Sequence, residues 1–270
     1  MSIMAMLGAL AFGQTPTVKS AANSRVPRGA DGKPDLTGVW QGGTTVRGSW
    51  EQANAGTGLG GTGLNPNAPV LPASSDRQTR EGAPYQTWAA KKVLESFKQR
   101  AIDDPTARCL PAGVPRSVIL GLFPQQYIHT PKQLVILYEY MGASRIIPFT
   151  SKHDPDVEPT YMGDSIARWE GDTLVIDITN FNDKTWLIGA GTFHSDQMHI
   201  VEKYTRVDQD QINYEATIED PKVLSKPWVV RNTIMLREGT RIHEYICAEN
   251  NVDMQRYEEL LKGSAKFSRE

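Results

Sequence analysis

HIVEKYTRVDQDQINYEATIE, His199 to Glu219, is the stretch whose reading decides the fold. Two runs rich in β-branched and aromatic residues, His199 to Val207 and Gln211 to Glu219, flank the short turn Asp208-Gln209-Asp210. Strands joined by so short a turn pair antiparallel. The same form recurs on both sides. Ala167 to Glu170 and Thr173 to Asn180 flank Gly171-Asp172, a strong hairpin signal. Tyr127 to Thr130 and Leu134 to Tyr140 flank Pro131-Lys132-Gln133, and Trp228 to Arg237 and Arg241 to Cys247 flank Glu238-Gly239-Thr240. Arg145 to Phe149 adds a short strand, and Leu36 to Trp40 supplies the first. About ten strands suffice to close a single barrel with an interior.

Around this meander the chain divides readily. Met1 to Phe12 is an uncharged apolar stretch of signal-peptide length, too short to span a bilayer. Residues 1–13 therefore read as an export signal, with a frayed N-terminal helix as the alternative. Residues 14–33 read as a linker. In Leu36-Thr37-Gly38-Val39-Trp40, Leu36, Gly38 and Trp40 share one side of an extended segment. A Gly-x-Trp on a first strand resembles lipocalin-like (calycin-type) barrels, where the Trp closes the floor. A single β domain over 34–252 follows, with a mobile Gly-rich loop at 42–75 and one inserted helix, Gln86 to Arg100, that places Trp88, Val93, Leu94 and Phe97 near one face. Residues 253–270 read as a short C-terminal helix and tail. Basic and acidic residues nearly balance, 29 against 31, for a net charge of -2. No long run of one sign marks a nucleic-acid or membrane-surface partner. Periplasmic or secreted localisation is the expectation, with no stable membrane insertion.

Several phrases resemble a large family of exported, functionally uncharacterised bacterial proteins of about this length: Pro34 to Trp40, Asp104-Pro105-Thr106-Ala107-Arg108-Cys109-Leu110-Pro111, Arg168-Trp169-Glu170-Gly171-Asp172-Thr173-Leu174, His194-Ser195-Asp196 with His199, Glu219-Asp220-Pro221, Pro227-Trp228 and Glu244-Tyr245-Ile246-Cys247. The resemblance covers about Asp31 to Asn250. It implies neither an activity nor site residues.

The two cysteines, Cys109 and Cys247, make an even count that suits a disulfide in an exported chain. Two buried free thiols are the alternative. Strand alternation sets three carboxylates beside apolar neighbours: Glu244 with Ile242 and Ile246, Glu202 with Ile200 and Tyr204, and Glu139 with Val135 and Leu137. Arg145, Arg168 and Arg231 are the available cations. Such carboxylates form structural ion pairs, or a polar floor in an apolar cavity with one carboxylate tuned for acid–base work.

The densest polar cluster is His194-Ser195-Asp196-Gln197-Met198-His199, before a strand. His194 with Asp196 or Glu202 would make a His–carboxylate base; a structural His capping the hairpin is the alternative. A three-His metal site would need His194, His199 and one of His129, His153 or His243, and the spacing fits no compact metal motif. No metal or cofactor is expected. Gly-x-Ser-x-Gly is missing, which argues against serine hydrolysis.

The catalytic candidates are thus His194, His199, Glu202 and Glu244. The ligand-binding candidates are Trp40, Tyr138, Glu139, Arg145, Trp169, Trp186, Tyr204 and Trp228. Three functions compete: a barrel holding a small apolar or aromatic ligand, a cofactor-independent lyase, isomerase or hydrolase in the same cavity, and a packed envelope-interaction module.

Overall fold

Alternation of buried and exposed side chains governs every long strand in the computed structural model, which describes residues 26–42, 83–98, 103–119, 121, 123–188, 191–249, 251 and 258–259. The described residues include nine strands: β1 Gly38–Gly42, β2 Gln125–His129, β3 Gln133–Tyr138, β4 Ser144–Pro148, β5 Asp164–Glu170, β6 Thr173–Thr179, β7 His199–Arg206, β8 Gln211–Glu219 and β9 Trp228–Leu236. They form one antiparallel sheet in the order β4-β3-β2-β1-β9-β8-β7-β6-β5. The first strand therefore lies between the second and the last, pairing Gly38 with Tyr127 and Trp40 with Leu236. That arrangement wraps the meander into a nearly closed, lipocalin-like barrel. One seam stays open. β4 and β5 approach within 8 Å, yet they are the two ends of the hydrogen-bonded order.

The quoted hairpin forms as expected, and its register sets Tyr204 opposite Tyr214 and His199 opposite Glu219. The inward face carries Leu134, Ile136, Ile147, Leu174, Ile176, Ile178, Ile200, Ile212, Ile218 and Ile234, all buried. Trp40, on β1, is fully buried. Its Nε1 donates to Leu36 O at 2.9 Å, and the Arg206 guanidinium stacks 5.1 Å from its ring. Arg206 also donates to the carbonyls of Asp35, Asp208 and Gln209. Gly38 is required there: at φ +148°, an added Cβ would meet Leu236 Cδ1 at 2.7 Å.

A second closure comes from the segment Ala112–Ile119, buried throughout, which ends in the short helix α2 (Arg116–Ile119). Gln125 Nε2 donates to Val118 O at 3.0 Å, and Arg116 grips Asp104 through two hydrogen bonds of 2.8 and 2.9 Å. The Asp104-to-Pro111 phrase is thus architectural. Asp104 caps a 3-10 turn, and Cys109, left-handed at φ 58°, forms the disulfide with Cys247.

Four expectations need correction. Arg241 to Cys247 is not a strand. Both edges of β9 are occupied, by β8 and β1, so the segment that follows it has no edge of β9 to join as a hairpin partner. Glu139 does not face inward. Tyr138, Ile136 and Leu134 do, and Val135 and Leu137 take the outer face. The inserted helix α1 (Thr87–Lys98) buries Ala89, Val93 and Phe97 at four-residue spacing, while Trp88 is 51% exposed and Leu94 is also outside. Finally, 26–33 is no loose linker: Arg28 forms an ion pair with Asp172 at 2.6 Å and donates to Gly32 O. The expected export signal, most of the Gly-rich loop and most of the C-terminal helix fall outside the described residues, although Glu258 and Glu259 are helical. Among the described residues no helix is long and apolar enough to cross a membrane.

Candidate functional site

Near the open seam the barrel interior turns polar. Glu202 projects inward from the middle of β7 and is 0% exposed. A carboxylate so placed must be matched by charge and hydrogen bonds. Arg145, buried on β4, supplies the charge across the interior, with Nη1 2.9 Å from Glu202 Oε2. Tyr214 on β8 donates to Glu202 Oε1 at 2.7 Å, and Tyr204 to the same oxygen at 3.4 Å. Arg145 Nη2 donates to Ser165 Oγ on β5 at 3.0 Å, so this side chain stitches the seam that backbone hydrogen bonds leave open.

Tyrosines surround the pair. Burial pushes the Tyr138 hydroxyl up to about 12, and burial also raises Tyr127, Tyr204 and Tyr214 well above the ordinary phenol range. They remain protonated: Tyr204 and Tyr214 donate to Glu202, while the Tyr138 hydroxyl accepts from Arg145 Nη1 at 3.5 Å. Burial alone would lower the Arg145 pKa, but the Glu202 charge outweighs it and holds the guanidinium charged. Ring contacts run through the interior from Trp40 to Tyr127 (6.2 Å), Tyr204 (6.1 Å) and Tyr214 (5.1 Å). The centre is therefore filled with side chains.

Outside this cluster, at the seam, lies a groove of about 360 Å³ lined by Arg145, Ile146, Tyr161, Met162 and Ser165 among others. Arg145 Nε is buried without a hydrogen-bond partner. Ile146 is 66% exposed.

The structure brings together Glu202, Arg145, Tyr138 and Tyr204 from the candidate set, with Trp40 one ring further on. The others lie elsewhere. Glu139 accepts from His243 N at 2.8 Å and thereby holds the segment after β9, in which Glu244 is exposed. Trp169 sits 5.6 Å from His129 and 6.5 Å from Phe149, a rim plug. Trp186 and Trp228 are buried in the core.

His194 does not meet Glu202. Its Nε2 lies 2.7 Å from Thr185 Oγ1 and its Nδ1 2.9 Å from Ser195 O, which fixes a neutral ring donating from Nδ1. Burial lowers its pKa accordingly. Ser195 Oγ donates to Asp220 rather than to a histidine. His199 faces outward from β7, 3.2 Å from Asp177.

Tyr127, Tyr214 and Ser165 were not candidates. Tyr214 was legible, since symmetry about Asp208-Gln209-Asp210 sets it opposite Tyr204. Ser165 was hidden because β5 begins at Asp164, three residues before the apolar pattern starts. Among the described residues no three His, Cys, Asp or Glu side chains converge to hold a metal ion. No family profile, curated protein or solved structure matches the chain.

Proposed function

We propose that the chain is an exported barrel that binds a small, partly aromatic molecule at the β4–β5 seam, in the groove that Arg145 of the buried Arg145–Glu202 pair helps to line. The supporting observation is Arg145. It is a buried guanidinium whose Nε has no acceptor, on a residue that lines a groove of ligand size between two strands that do not pair. A shift of the side chain that exposes Nε would let a carboxylate, phenol or carbonyl oxygen accept from it, and Ile146, Tyr161 and Met162 would cover an apolar ring. Relative to a ligand at the barrel centre, the site moves to the wall, because the centre is occupied by Trp40, Tyr127, Tyr204 and Tyr214. The disulfide supports an oxidising compartment. The acid–base reading loses its motive: His194 and His199 each have partners away from Glu202.

Thermal-shift screening with phenols, hydroxybenzoates and other aromatic acids tests this reading. A ligand at about 100 times its Kd adds roughly 2.7 kcal/mol, a rise of several degrees in Tm. Ile146→Asp and Tyr161→Ala, both on the groove surface, should remove the rise without lowering the ligand-free Tm. Equal rises in those variants, or none across the panel, would leave the packed-module reading.

A further inference from the structure

Outside the barrel, a row of five ionisable groups crosses from β5 to β8. The His153 ring lies between two carboxylates, with Nδ1 2.5 Å from Asp164 Oδ2 and Nε2 2.9 Å from Asp177 Oδ1. The other oxygen of Asp177 is 3.2 Å from His199 Nε2, and His199 Nδ1 is 3.6 Å from Glu219 Oε2. Since no three of these groups converge on an ion position, the row is a chain of three hydrogen-bond contacts ending in the His199–Glu219 ion pair rather than a metal centre.

We infer that His153 is a protonation-dependent latch that holds one wall of the seam groove. His153 belongs to the loop between β4 and β5, and the same loop continues into Thr160, Tyr161, Met162, Gly163 and Asp164, which line the groove. Asp164 is both His153's partner and part of that wall. Two carboxylates at hydrogen-bonding distance from opposite ring nitrogens require two N–H donors, which only the imidazolium has. Further along, the loop is held by Thr160 N donating to Asn180 O at 3.1 Å and by Asn182 N donating to Thr160 O at 2.8 Å. His153 anchors the part before them.

When the ring loses a proton, one nitrogen presents a lone pair to a carboxylate and that bond is lost. The charges facing His153 are Asp164 from β5 and Asp177 from β6; His199 from β7 meets the far oxygen of Asp177, Glu219 from β8 meets His199, and Lys152 and Asp154 flank His153 on its own loop. Lys203 on β7 is turned to Glu215, 3.8 Å away. Burial lowers the His153 pKa, but the bonds to Asp177 and Asp164 outweigh it and the net shift is upward. Asp177 is net lowered: burial opposes its charge, and the bonds to His153 and His199 more than compensate. A raised histidine pKa means the latch is fully engaged below the free value of 6.5 and is lost as pH rises through the folded value. At the acid end it is lost as pH falls through the lowered value of Asp177.

The regulatory consequence rests on the seam reading, but the latch itself does not, and two measurements on the full chain separate them. Amide exchange across 150–163, corrected for the intrinsic pH dependence, is followed from about pH 5.5 to 8.5 alongside the ring resonances of His153. We expect exchange to rise by about fivefold or more through the His153 titration, the lower end of measurable coupling between sites. His153→Gln, which donates only from its amide nitrogen and cannot take up a proton, should show no step. A flat profile in the native chain, or an equal step in His153→Gln, overturns the latch. The second measurement follows 4-hydroxybenzoate affinity over the same range. A fall that tracks the native step and is absent in His153→Gln confirms control of the groove. Binding that ignores the step overturns that control. A step in exchange with no binding of 4-hydroxybenzoate or any other aromatic acid of the panel at any pH supports the latch and removes the seam reading.

Discussion

Arg145 and Glu202 concentrate the chemistry of this protein in two side chains. Each is costly to bury alone, and each is neutralised by the other across the barrel interior. Breaking the pair from either side, with Arg145→Met or Glu202→Gln, should therefore destabilise by about 3–5 kcal/mol in urea melts. The double variant should cost less than the two singles together, by an interaction energy of about 0.5–3 kcal/mol. Strict additivity would mean that the two groups do not depend on each other. At this scale the sequence was partly legible. Glu202 and Tyr204 shared a face with Ile200, so their inward direction followed from alternation. Glu139 was misassigned because Val135 and Leu137 are as apolar as Leu134 and Ile136. When both faces of a short strand are apolar, period-two reasoning loses its contrast. The Arg145–Glu202 match was hidden because it joins residues 57 positions apart on strands that are not neighbours.

Among the elements, the loop between β4 and β5 decides whether the barrel wall is sealed or grooved. It re-enters the sheet at Gly163, where φ is +71° and an added Cβ would lie 2.7 Å from Ile178 Cγ2 and 2.8 Å from Thr179 O. Gly163→Ala combines that clash with left-handed strain, and should lower stability by about 1–3 kcal/mol while raising amide exchange first in 150–163. Uniform loss of protection across the barrel would show that the loop is not a separable unit. Hairpin turns were easily read, because Gly171-Asp172 and Asp208-Gln209-Asp210 carry local turn chemistry. Arg241 to Cys247 was misread as a strand for the opposite reason. Its pattern fits an extended segment, but strand formation also needs a free edge, and edge occupancy is a property of the closed sheet.

For the whole molecule, closure is achieved three ways: by the β1–β9 ladder, by the buried plug Ala112–Ile119, and by the Cys109–Cys247 bond, which spans 138 residues of sequence. On the chain-entropy view a loop of that length is worth about 4–5 kcal/mol. Reduction should lower Tm by many degrees in the native chain and leave a Cys109→Ser/Cys247→Ser variant unchanged, as scanning calorimetry with and without reductant would show. The barrel class was readable from the sequence because a run of hairpins with few long connections has few other ways to bury its apolar faces. The open seam was not. Strand count and turn spacing say nothing about which pair of neighbours fails to zip.

Methyl-resolved NMR during a titration with 4-hydroxybenzoate tests the seam site most directly. Shifts confined to Ile146, Met162, Ala143 and Thr160, saturating with one equivalent and lost in Ile146→Asp, are the predicted result. Shifts centred instead on Val223 and the groove beside Trp88, or none at millimolar ligand while a tighter ligand binds elsewhere, would contradict it.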